Sequence, residues 1–93
     1  MSKEKYETAY SELKEIINRY DVMNLISGGA PSDEYDQEIS KILPILKNND
    51  SKEIIHVKVI EIFSKSFEFE FPQDEELDSM LDEIFTKIKL NYF

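Results

Sequence analysis

Apolar residues recur every three to four positions along most of this chain, and the interruptions in that pattern divide it into helices. In residues 4–20, Tyr6, Tyr10, Leu13, Ile17 and Tyr20 form one stripe, which predicts an amphipathic helix. Glu15 and Arg19 stand four apart on its other side and are expected to pair. Residues 21–27 allow one short helical turn, which Gly28 and Gly29 would end because glycine accepts left-handed backbone. Pro31 biases Ala30 toward extended geometry. The pattern resumes with Ile39, Ile42, Leu43 and Leu46, so a second helix is predicted from Asp36, with the Asp36 side chain as its N-cap. Pro44 lies inside that stripe, lacks an amide donor and clashes one turn back. A kink or break is therefore expected near residues 40–43.

Residues 47–50 read as a turn, with Asp50 and Glu53 at capping-box spacing. A third helix is predicted from about Ser51 to Ser66, with Ile55, Val59, Ile62 and Phe63 on its core face. It is rich in β-branched residues, but sixteen positions at helical period favour helix over strand. The period then changes. Phe67, Phe69 and Phe71 alternate with Glu68 and Glu70, the pattern of an extended segment with one buried face, and Pro72 closes it. Asp74 is placed to cap a last helix reaching about Asn91, with Leu77, Met80, Leu81, Ile84, Phe85 and Ile88 inward. The expected fold is all-α: one domain over residues 1–93, a small four-helix bundle or array with a structured Gly-Gly and acidic loop between its first two helices.

Charge adds to this picture. The chain has 20 acidic and 11 basic residues, a net charge of −9. Asp33, Glu34, Asp36 and Glu38 form one base-free run. Glu68, Glu70, Asp74, Glu75, Glu76, Asp78, Asp82 and Glu83 form a second. The rest of the chain holds eight acids against eleven bases, so the acidity belongs to two segments. Nucleic acid and anionic membranes call for a basic stripe and are disfavoured as partners. A cationic partner, or a divalent cation, is the electrostatic match. There is no cysteine, hence no disulfide frame and no thiol nucleophile, and residues 1–20 contain no unbroken apolar run. A cytoplasmic location, with no signal segment and no membrane span, is the resulting expectation.

Candidate chemistry is sparse. The single histidine, His56, sits beside the apolar face of the third helix and reads as structural. The glycines precede the acids instead of lying among them, so the first acidic run lacks the pattern of a calcium-binding EF-hand loop. The glycines lack the lysine of a phosphate loop. No catalytic residue, cofactor or metal is expected. Asp33, Glu34, Tyr35, Asp36 and Glu38 are the candidate binding residues, and Gly28, Gly29 and Pro31 shape the loop that carries them. The expected function is a non-enzymatic acidic module that binds a basic partner protein. Two alternatives remain: a carboxylate- or metal-dependent enzyme using facing acids from both runs, or a homo-oligomer joined through Phe67, Phe69 and Phe71.

The stretch YDVMNLISGGAPSDEYDQEI, residues 20–39, resembles the signature of the YugE-like family of small bacterial proteins of unknown function. The family carries a G-A-P-x-D-E-Y-D core after a D-x-x-x-L segment, and the matching residues are Asp21, Leu25, Gly29, Ala30, Pro31, Asp33, Glu34, Tyr35 and Asp36. The chain departs from the family pattern where Tyr20 replaces a common Trp and where Val22 and Gln37 replace common prolines. The resemblance implies a small four-helix protein with no established activity, and an analogy to the immunity partners of bacterial toxins. Proline at the place of Gln37 would suit a first helical position, which again makes Asp36 the N-cap. On that reading Tyr35 turns its ring inward and bonds through its hydroxyl, while Asp33 and Glu34 stay exposed.

Overall fold

The computed structural model describes residues 2–21, 26–31, 33–68 and 75–93. These residues form helices α1 (Lys3–Tyr20), α2 (Asp36–Asn48), α3 (Lys52–Phe67) and α4 (Glu75–Glu83). The last continues through a π-helical segment, Ile84–Lys89, into a final α turn, Leu90–Tyr92. No strand occurs among the described residues. No helix is long and apolar enough to cross a membrane, again among the described residues.

Local chemistry sets the ends of the helices. Ser2 caps α1 by accepting the Lys5 amide at 3.2 Å. Asp21 ends α1 in left-handed backbone, φ 47°, with its amide bonded to the Ile17 carbonyl at 2.8 Å. Ser51, not Asp50, caps α3. Its hydroxyl accepts the Ile54 amide at 3.4 Å and donates to Glu53 at 3.2 Å, while Asp50 instead meets Lys89. α2 also differs from the expectation. Tyr35 occupies the capping place without a side-chain bond, and Asp36 is the first helical residue, its carboxylate drawn to Lys14 at 3.0 Å. α2 runs unbroken through Pro44. The proline lies on the exposed side, and burial of Ile39, Ile42, Leu43 and Leu46 holds the turns on either side of it.

Neighbouring helices run antiparallel. Lys14 meets Asp36, while Tyr6 and Leu43 share one groove, so α1 and α2 run in opposite directions. Phe63 and Phe67, late in α3, touch Tyr35 at the start of α2. Phe93 lies beside Ser2, Tyr6 and Leu43, so the last helix ends where α1 begins. Its start at Glu75 is about 25 Å of helix away, in a molecule 34 Å long. The loop after α1 and the first turn of α4 therefore share one end of the bundle.

The core joins residues of all four helices: Ala9, Leu13, Ile16 and Ile17, then Ile39 and Leu46, then Ile55, Val59 and Phe63, then Met80, Leu81, Ile84 and Ile88. The inward face of α1 is rotated from the predicted stripe. Ala9 and Ile16 are inside, and Tyr6 is 42% exposed. Arg19 does not hold Glu15 but crosses to Glu83 of α4, with two bonds of 2.7 and 3.4 Å. This pairing holds the Glu83 carboxyl below its ordinary range. Phe67 ends α3 instead of opening an extended segment, and Glu68 follows in left-handed backbone, φ 50°. Phe69, Phe71, Pro72 and the Asp74 cap lie outside the described residues.

Candidate functional site

The loop between α1 and α2 is built on a buried carboxylate. Asp21, 8% exposed, accepts the amides of Ile26 at 3.2 Å and Ser27 at 2.9 Å, and the Tyr35 hydroxyl at 2.6 Å. Burial alone would raise its pKa. The bonds from Tyr35, Ser27 and Ile26 outweigh burial and hold the carboxyl down to about 2. Asp21 thus ties the end of α1 to the residue that opens α2, fourteen positions later.

Between these anchors, residues 26–29 and 33–35 form turns. Gly29 donates its amide to Ile26 at 3.0 Å and takes φ +102°, a backbone that side chains resist. Gly28 is exposed in the same turn. The Pro31 carbonyl accepts the Glu34 amide at 3.2 Å, and the Asp33 carbonyl accepts the Asp36 amide at 3.1 Å.

The five candidate binding residues separate. Asp33 and Glu34 face solvent. Asp36 is half-buried on Lys14, whose pKa it raises through their bond. Tyr35 is 0% exposed and Glu38 is 4% exposed, so neither presents a surface to a partner. The Tyr35 ring meets Phe63 and Phe67 edge-on, with centroids 6.2 and 5.9 Å apart, and those two rings stack on each other. Phe67 is thereby taken up within the molecule. Glu38 lies in the first turn of α2, where the helix dipole favours negative charge. Its Oε2 has no hydrogen-bond partner among the described residues.

The second acidic run separates too. Asp82 pairs with Lys52 at 2.9 Å and lies 3.8 Å from His56 Nε2, and Glu83 is held by Arg19. Their charges are spent along the sides of the bundle. Glu68, Glu75, Glu76 and Asp78 instead face solvent at the end that holds Asp33 and Glu34. None of these six carboxylates is ion-paired among the described residues. Nor do three or more His, Asp or Glu side chains converge to hold a metal ion, among the described residues.

Sequence reasoning missed Asp21 as the centre of the loop. The available signal was a carboxylate at the end of an apolar stripe, seven residues before a Gly-Gly pair. It also missed buried Lys89, which reaches Asp50 at 3.3 Å.

Fold and site together define a small all-α bundle with a carboxylate-clamped loop and one end rich in exposed acids that form no ion pair among the described residues. The chain matches no family model, no curated protein and no solved structure.

Proposed function

We propose that this chain is a non-enzymatic protein-binding module, acting in the cytoplasm, whose acidic end meets a basic surface on a partner protein in an immunity- or regulator-like role. The observation that supports this reading is the gathering of Asp33, Glu34, Glu68, Glu75, Glu76 and Asp78 at one end of the bundle, exposed and outside every ion pair among the described residues. Like charges held together on a rigid frame cost stability in the free protein, and a cationic surface relieves that cost on binding. Such complementarity also raises association rate and selects against acidic competitors. Membership of the YugE-like family is part of the same proposal. Asp21, Gly29 and Tyr35 of that signature are taken up in the loop's own architecture, and Asp33 and Glu34 are its exposed acids.

The test is capture of partners by the tagged protein at low salt, with the Asp33→Lys, Glu34→Lys double variant alongside. A stoichiometric basic protein that the wild type holds, and that is lost both in the variant and at 0.5 M NaCl, is the expected outcome. Equal retention by the folded variant would remove the site.

A further inference from the structure

At the end of the bundle opposite the acidic loop, the first turn of α1 and the last turns of α2 leave a groove of about 560 Å³. That volume lies within the range of roughly 300–1,000 Å³ usual for small-molecule sites. Leu43 and Pro44 form its floor, and the Tyr6 and Phe93 rings form its walls. Lys3 and Lys47 stand at its rim. Neither lysine is ion-paired among the described residues. The nearest acids of α1 face elsewhere, since Glu4 and Glu7 line a different surface with Thr8 and Ser11. Asp50, beyond the end of α2, is engaged by Lys89. The groove is thus an apolar trough with two exposed lysines in its lining, on a protein whose net charge is −9.

We infer that this groove binds a small amphipathic carboxylate, with an aliphatic or aromatic body on Tyr6, Leu43, Pro44 and Phe93 and an anionic head between Lys3 and Lys47. Charge complementarity sets the direction of the ligand: the body lies against the rings, and the head stays at the wet rim, where two ammonium groups meet it. The N-terminal end of the α1 dipole lies on the same side. This site is independent of the acidic end and of any protein partner there.

Titration of the full chain with decanoate, below its micelle concentration and followed by amide chemical shifts, tests the inference. The expected result is saturable one-to-one binding, with Kd on the order of 0.1–1 mM and shifts centred on residues 2–7, 43–48 and 91–93. The Lys3→Gln, Lys47→Gln double variant changes only exposed side chains and is expected to melt as the wild type does. It should weaken decanoate at least about tenfold while leaving decanol binding unchanged. Shifts centred elsewhere, no saturation, or equal decanoate affinity in wild type and variant would overturn the site.

Discussion

Asp21 and Tyr35 hold the loop through a single short bond, and its strength follows from what each group would lack without it. A buried carboxylate deprived of a donor keeps its desolvation cost, and hydrogen bonds to charged groups contribute about 1.5–3 kcal/mol. Tyr35→Phe keeps the ring between Phe63 and Phe67 and removes only the hydroxyl. It is expected to cost about 2 kcal/mol and to lower Tm by about 10 °C, read by circular dichroism. Asp21→Asn should cost at least as much, because an amide cannot accept from both backbone donors and the hydroxyl at once. The pH dependence has a definite sign. The folded-state pKa of Asp21 lies below its ordinary 3.8, at about 2, so its contribution is fully present above pH 3.8 and fades as pH falls toward 2. That difference corresponds to about 2 kcal/mol. Denaturant midpoints for wild type and Asp21→Asn are therefore expected to differ at pH 6 and to converge near pH 2. The inward ring and bonded hydroxyl of Tyr35 followed from the family resemblance, although the residue also stood among the candidate binding residues. Its acceptor was not legible in the sequence, because the bond closes a fourteen-residue loop and no local pattern encodes such a contact. The Asp36 cap failed for the same reason: Lys14, on another helix, took the carboxylate.

α2 shows burial overriding local preference. Proline inside a helix costs about 3 kcal/mol, whereas burying each of Ile39, Ile42, Leu43 and Leu46 stabilises by about 1.5–3 kcal/mol. The helix therefore stays whole. Pro44→Ala restores the donor for the Ser40 carbonyl and removes the ring clash, so it is expected to stabilise the protein by about 1–3 kcal/mol, measured by chemical denaturation. A loss of stability would mean that the proline ring's contacts in the groove outweigh the helix defect. The stretches of regular period, in α1 to α4, could be read from apolar spacing to within a few residues. The π-helical segment could not. There the Leu90 amide bonds to the Phe85 carbonyl five residues back, and this wider turn brings Lys89 inward while Leu90 stays 62% exposed. Tertiary packing imposes that shift, and the sequence pattern points the other way at both positions.

Antiparallel packing decides what the two acidic runs become. Read along the chain they are separate features thirty residues apart. In the fold, Asp82 and Glu83 are neutralised on the flanks, and Glu68, Glu75, Glu76 and Asp78, outside every ion pair among the described residues, join Asp33 and Glu34 at one end. That juxtaposition was not legible in the sequence, because it depends on helix direction and on ion pairs between distant elements. Its energetic sign can be tested without a partner. Repulsion among exposed charges is screened over a Debye length of about 30 Å at 0.01 M salt and about 3 Å at 1 M. Raising NaCl from 10 mM to 0.5 M is expected to raise Tm by several degrees. The Asp33→Lys, Glu34→Lys variant is expected to start higher at low salt and to gain less. A wild type that loses stability as salt is added would show that the ion pairs along the flanks outweigh repulsion at the end.

Because Asp21 anchors the loop from below and Tyr35 is locked into an aromatic trio, Asp33 and Glu34 occupy a short span whose shape is set by buried neighbours. What those two residues carry can change while what holds them in place does not. The bundle is in that sense a mount with an exchangeable tip. Two surface substitutions can reverse the charge of that tip, and no core residue has to change with them.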